Sequence, residues 1–171
     1  PAAVGGAGYG SGGEGWMAIS AVGAGGAAAD PIVSLLRKKA EAIKIGPGTM
    51  EGADMGPLVS GVHRDKVKGY VDAGVKEGAK LVSDGRGLVV GGHENGFFLG
   101  TTLFDEVKSS MSIYKDEIFG PVLIVLRVKT VQEALARGNS KPYANGTASC
   151  TECGGASARI AASAQAGSRA R

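Results

Sequence analysis

Three short segments of this chain carry residue types that could do chemistry. In Tyr114-Lys-Asp-Glu-Ile-Phe-Gly-Pro-Val122, the carboxylate of Glu117 and the ring of Phe119 stand one residue apart, just ahead of an apolar run. A carboxylate accepts hydrogen bonds and an aromatic ring offers a flat packing surface, and both stand immediately before a strand expected to be buried. The plainer alternative is that Glu117 caps a turn and Phe119 belongs to the core. Cys150-Thr-Glu-Cys153 lies where a strand is expected to meet a helix, and a helix N-terminus can favour a thiolate, as a redox pair would need. The alternative there is two ordinary thiols. Gly8-Tyr-Gly-Ser-Gly-Gly13 matches a dinucleotide-binding fingerprint, with Asp30 near the distance of a ribose-binding acid. Only Pro1 to Val4 precede the glycine-dense stretch that holds it, leaving no room for the strand that must aim such a loop, so the match is expected to be a coincidence of glycine density.

The two histidines, His63 and His93, do not cluster with the cysteines in sequence. His63 reads as a polar residue in the first turn of a helix and His93 as a loop residue. No Gly-x-Ser-x-Gly elbow and no His-Glu-x-x-His zinc motif is present, and no metal site is expected.

Periodicity and caps predict the secondary structure around these segments. Asp30-Pro31 suggests an N-cap with proline at the first helical position, and Ile32, Leu35, Leu36, Ala40 and Ile43 recur at helical spacing before Gly46-Pro47-Gly48. Ser60 can cap a second helix with an apolar face of Val67, Tyr70, Val71 and Val75, closed by Gly78. Lys80 to Ser83, Leu88 to Val90, Phe97 to Leu99 and Thr102 to Phe104 read as strand pieces. Val122 to Leu126 is apolar at consecutive positions, the mark of a strand covered on both faces. Thr130-Val-Gln-Glu133 is a capping box opening a further helix. Lys141 to Gly146 is a turn cluster, Thr147 to Cys150 a strand and Ala156 to Gln165 a weak helix. Strands and helices alternate, so the class is α/β, with helices packed on a parallel or mixed sheet.

The chain has 171 residues, 43% hydrophobic and 20% charged, which fits one globular domain over residues 1–171. Of its 30 glycines, ten crowd the first 26 residues, where ordering costs the most backbone entropy. That end and the Ala/Ser/Arg-rich stretch 154–171 are expected to be the least secure. The net charge of +3 is scattered, apart from Arg37-Lys38-Lys39, and no basic stripe is interleaved with aromatics, so no nucleic-acid partner is expected. No apolar run reaches the roughly 18 residues that span a bilayer, and no signal segment opens the chain. Neither a membrane nor secretion is expected; the cytoplasm or the mitochondrial matrix is.

Several motifs together resemble one family. Glu117-Ile-Phe-Gly-Pro121 is similar to the signature in the catalytic domain of NAD-dependent aldehyde dehydrogenases. Ile45-Gly-Pro-Gly48, Ala53-Asp-Met-Gly-Pro-Leu58, His63-Arg-Asp-Lys66, Gly92-His-Glu-Asn-Gly-Phe-Phe-Leu-Gly100 and Pro142-Tyr-Ala-Asn-Gly-Thr147 look more narrowly like the methylmalonate-semialdehyde branch, which acylates CoA. The resemblance covers about residues 41–149. It implies the aldehyde dehydrogenase catalytic-domain fold, NAD as cofactor and CoA as co-substrate. It also implies that Glu117 binds the nicotinamide ribose hydroxyls and that Phe119 packs against the nicotinamide, roles that suit a charged acceptor and an aromatic wall.

The same resemblance locates what is missing. The family's branch reads Gly-Glu-Arg-Cys-Met-Ala-Ile-Ser near the nucleophile; this chain reads Gly13-Glu-Gly-Trp-Met-Ala-Ile-Ser20, so Trp16 occupies the expected nucleophile position and Gly15 replaces the arginine. An indole cannot form a thiohemiacetal, and deleting a nucleophile in a covalent enzyme costs on the order of a millionfold. No catalytic residue is therefore expected to be intact. The family's cofactor-binding Rossmann domain and its oxyanion-hole asparagine precede the matched stretch, and oligomer-completing strands follow Gly167, so these parts are expected to lie outside this chain. Three readings stay open: a fragment or degenerate copy of the enzyme, inactive alone; a non-catalytic module that binds full-length dehydrogenase subunits or itself; and a dithiol redox protein using Cys150 and Cys153.

Overall fold

In the computed structural model, which describes residues 6, 8–15, 18–141, 145–151 and 153–170, the apolar run that opens at Val122 forms the central strand of the molecule. This strand, β4 (Val122–Val128), lies between β1 (Ala21–Gly25) and β3 (Thr102–Asp105) and runs parallel to both. At the edge, β2 (Lys80–Ser83) pairs antiparallel with β3, giving a mixed sheet in the order β1-β4-β3-β2. Alternate residues of β4 serve opposite faces, as strand geometry requires. Val122, Ile124 and Leu126 pack with Phe104, Ile113 and with Val67 and Val71 of helix α2 (Gly61–Lys76). Leu123 and Val125 pack with Leu103, Tyr9 and with Leu36 and Ala40 of helix α1 (Ala29–Ala42). Both faces are covered, which is why the strand is apolar at successive positions. The α/β class read from the sequence holds.

Helix α3 (Ser112–Lys115) is a single turn before β4, and helix α4 (Val131–Asn139) follows it. Beyond these, β5 (Gly146–Ala148) and β6 (Ser168–Ala170) form a separate parallel pair, with helix α5 (Gly154–Ser163) between them in sequence. Caps behave largely as expected. The Ser60 hydroxyl accepts from the His63 amide at 3.2 Å, Gly78 takes a φ of 88° just past α2, and Thr130 Oγ1 accepts from Glu133 N at 3.1 Å. The return bond of the capping box goes to Lys129 N, at 2.8 Å, rather than to Thr130 N.

Several expectations are corrected. Helix α1 begins at Ala29 with no side-chain cap, because Asp30 is already inside it and reaches Arg127 Nη2 at 2.6 Å instead. Leu35 and Val75 are exposed, so the apolar stripes of α1 and α2 are narrower than their sequences suggest. Leu88–Val90 and Phe97–Leu99 are not strands: Val89 is exposed, and the segment is held by single bonds such as Leu58 N to Phe97 O and Gly100 N to Gly85 O. Gly85 and Gly100 cross so closely that a Cβ at Gly85 would sit 2.0 Å from Gly100 O, so a crossing of glycines stands where a ladder was expected. β1 was not foreseen. The strand expected at Thr147–Cys150 is Gly146–Ala148, and the helix expected at Ala156–Gln165 is Gly154–Ser163.

The glycine fingerprint sits in the wrong surroundings for a dinucleotide. Gly6, Gly8 and Tyr9 are helical and Gly10–Gly13 is a 3-10 turn, so among the described residues the motif is preceded by helix and not by a strand. Tyr9 is a core residue: its hydroxyl donates to Thr102 O at 3.0 Å, and burial pushes its phenol far above the ordinary range.

Candidate functional site

The loop from Asp116 to Pro121 joins α3 to β4. Ile118, Gly120 and Pro121 are buried, while Glu117 and Phe119 are exposed, so the backbone anchors through one set of residues and presents the other outward. Phe119 is 43% exposed and has a φ of 57°, a left-handed conformation uncommon for a bulky residue. Such a residue costs on the order of 1–3 kcal/mol and persists only where its neighbours fix it. Here they do. Gly120 lies against α2, where a Cβ would come within 2.7 Å of the Val67 methyls. Gly13, itself at a φ of 69°, lies against the Gly120 carbonyl, where a Cβ would meet its oxygen at 2.1 Å. Only glycine fits this contact, and it explains how part of the glycine-dense opening acquires an imposed conformation.

The Phe119 carbonyl is held from a third side. His63 Nε2 lies 2.6 Å from Phe119 O, and the two rings meet edge-on with centroids 6.5 Å apart. The same nitrogen lies 3.2 Å from Glu14 Oε1, an oxygen that also accepts from Val59 N at 3.3 Å. Ser60 explains the placement of His63: by capping α2 it starts the helix two residues earlier and turns His63 toward the loop. His63 and Glu14 were not singled out as site residues from sequence. His63 is a first-turn residue as expected, but with partners 49 and 56 positions away, and no local pattern announces those.

Lys141 borders the Glu117 side. Its ammonium lies 4.7 Å from the centre of the Tyr114 ring, whose hydroxyl donates to Arg137 O. Burial lowers the Lys141 pKa, and the Glu117 carboxylate acts in the opposite direction, so the two side chains feel one another.

Of the other sequence candidates, Trp16 and its neighbour Met17 lie outside the described residues, as do Pro142, Tyr143 and Ala144 of the turn cluster and Glu152 of the cysteine motif. Cys150 and Cys153 are free and exposed, and Thr151 Oγ1 accepts from Cys153 N at 3.1 Å. His93 is a loop residue with its ring 6.4 Å from that of Phe98. Among the described residues, no group of three or more His, Cys, Asp or Glu could hold a metal ion, and no helix is long and apolar enough to cross a membrane.

Residues 2–170 match the model of the aldehyde dehydrogenase family. Malonate-semialdehyde dehydrogenase of Pseudomonas aeruginosa is 55% identical over 150 residues, which are 87% of this chain and 30% of that protein. The mouse mitochondrial methylmalonate-semialdehyde/malonate-semialdehyde dehydrogenase (acylating) is 43% identical over 154 residues, 90% of this chain and 28% of that one. A solved structure from Sinorhizobium meliloti 1021, assigned as a methylmalonate-semialdehyde dehydrogenase and complexed with NAD, superposes with a TM-score of 0.95 at 43% identity, covering 99% of this chain and 35% of that chain. This chain thus spans about a third of the length of the relatives it matches.

Proposed function

Since this chain belongs to the aldehyde dehydrogenase family, we propose that it is a catalytic-domain portion of the malonate/methylmalonate-semialdehyde type that keeps the nicotinamide side of the cofactor site and lacks the nucleophile. The observation that carries this reading is the loop at Glu117 and Phe119, where two side chains project from a backbone fixed by buried neighbours on either side. Those groups fit the nicotinamide ribose. An exposed carboxylate can accept from both ribose hydroxyls, and an exposed ring on a locked backbone can pack against the nicotinamide and set its plane. When bound, NAD accepts a hydride from the substrate carbon. The chain's own share is orientation: Glu117 holds the sugar, Phe119 walls the ring, and His63 and Glu14 hold the loop behind them. No described residue is assigned to CoA.

Trp16 stands two residues beyond Glu14, at the position the resemblance assigns to the attacking thiolate. An indole has no nucleophile to offer an aldehyde, so acyl transfer to CoA by this sequence is absent rather than slow. Cys150 and Cys153, exposed near α5, are not brought to Glu14, His63 and Phe119 by any described contact.

A second reading rests on the surface next to this loop. Val59 and Val62 are 77% and 84% exposed at the start of α2, and Phe97, 41% exposed, leans on Gly61. An apolar patch of this kind favours a partner protein, either a full-length dehydrogenase subunit or a second copy. Titration with NADH, followed through quenching of the sole tryptophan, separates the two. Saturable quenching that is lost in Glu117→Ala supports the half-site, whereas a folded sample that shows none at millimolar NADH moves the assignment to the partner-binding reading. In the first case Trp16→Cys, supplied with aldehyde and CoA, asks whether the nucleophile alone restores turnover.

A further inference from the structure

We propose that His63 is a positioning residue for Phe119, a brace that fixes the aromatic wall and ties it to Glu14, two positions before Trp16 in sequence. The inference rests on the reading of Phe119 as the nicotinamide wall.

The hydrogen-bond roles are determined by chemistry. A backbone carbonyl can only accept, so the 2.6 Å contact of His63 Nε2 with Phe119 O requires the proton on Nε2. The second neighbour of that nitrogen, Glu14 Oε1 at 3.2 Å, is also an acceptor. One N–H is therefore shared between the wall and Glu14, and the neutral ring must carry its hydrogen on Nε2 and leave Nδ1 bare. The same Glu14 oxygen also accepts from the Val59 amide just before α2, so one carboxylate oxygen serves both the entry of that helix and the imidazole. Both partners are mostly withdrawn from water, with side-chain exposures of 17% for His63 and 14% for Glu14, where water competes poorly for the bond.

Phe119 needs such a brace. Its ring must remain exposed to meet a ligand, so packing cannot hold it, and its left-handed backbone would relax if left alone. The Gly13 and Gly120 contacts fix the loop's position, and His63 adds a hydrogen bond to the Phe119 carbonyl itself. Because the imidazole also grips Glu14, a displacement of the wall is transmitted to the segment two residues from position 16. A histidine that merely filled space in the first turn of α2 would show neither a fixed tautomer nor an effect on ligand affinity.

The test uses the full chain. A long-range proton–nitrogen correlation spectrum reports the tautomer of each imidazole, and His63→Gln identifies the His63 signals, since the chain has only two histidines. The expected result is a His63 ring protonated at Nε2. NADH affinity is then measured by tryptophan quenching in His63→Ala, His63→Gln and, as control, His93→Ala. His63→Ala should bind about three- to tenfold more weakly, the worth of one net hydrogen bond. His63→Gln, whose amide can still donate, should stay within about twofold of the parent, and His93→Ala should be unchanged. Thermal unfolding of each variant separates lost affinity from lost fold. A His63 ring protonated at Nδ1 instead, or parental NADH affinity in His63→Ala, overturns the proposal. If the parent chain itself binds no NADH, the cofactor reading fails first, and the tautomer alone then judges whether the brace exists.

Discussion

Two regions of this molecule are stabilised very differently. In the central sheet, β4 has a strand on each side and a helix over each face, and Leu123 and Val125 are wholly withdrawn from water. At the far end, β5 and β6 pair over three residues, and α5 buries only Ala156 among its described residues. The first region draws on the burial of large apolar side chains; the second, rich in alanine and serine, has little to bury. The Glu117–Phe119 loop is attached to the first region. Its buried members Gly120 and Pro121 lead directly into β4, so the candidate site inherits the stiffness of the central sheet, while Cys150 and Cys153 sit in the loosely packed part.

The contrast can be broken at the centre. Leu123→Ala should cost about 3–5 kcal/mol, because the surrounding helix and strands cannot collapse onto the void; urea denaturation of the whole chain measures it. Asp105→Ala should cost somewhat less, about 2–3 kcal/mol. Asp105 is fully buried at the end of β3 and accepts from Arg127 Nη2 at 2.8 Å and from the Glu106 amide at 2.7 Å. Burial alone would raise its pKa, but the guanidinium and the amide outweigh burial and hold the carboxyl below its ordinary range. A depressed folded-state pKa contributes stability that is complete above the unfolded value near pH 4 and is lost as pH falls through the lower folded value. The parent should therefore lose stability on acidification in that window, and Asp105→Ala should lose less, as denaturant midpoints measured from pH 6 to pH 2 would show.

Ser60→Ala removes the α2 cap and should cost about 1 kcal/mol in thermal unfolding. Because the same cap orients His63, NADH binding should weaken alongside. Ile160→Ala in α5 should cost only about 0.5–1 kcal/mol, with melting of the sheet barely shifted. Native-state hydrogen exchange then ranks the two regions directly. Amides of β4 should exchange only through global unfolding, and those of α5 through local opening at lower free energy.

What could be read from sequence, and what could not, follows the reach of each interaction. β4 was legible because burial on two faces leaves an unbroken apolar run, and α2 because Ser60 and Gly78 mark its ends within its own sequence. The loop at Glu117 and Phe119 was legible as a motif. The reason its aromatic residue is held was not, since the His63–Glu14–Phe119 contacts join positions tens of residues apart and leave no local periodicity. The Asp30–Arg127–Asp105 network was missed for the same reason, and it displaced the expected cap at Asp30. Leu88–Val90 misled in the opposite direction: three apolar residues in a row resemble a strand, yet they form an irregular segment between two turns, with Leu88 and Val89 exposed. β1, made of glycine, alanine and one valine, is a strand only because β4 offers it a partner.

In the function proposed above, the Glu117–Phe119 loop is a preformed half-site for the nicotinamide end of NAD. Saturation-transfer NMR on the intact chain with NADH tests it most directly, because it reports which ligand protons touch protein. The expected result is strong transfer to the nicotinamide and its ribose and weak transfer to the adenine, diminished throughout in Glu117→Ala. Transfer centred on the adenine, or transfer that Glu117→Ala leaves unchanged, would contradict it.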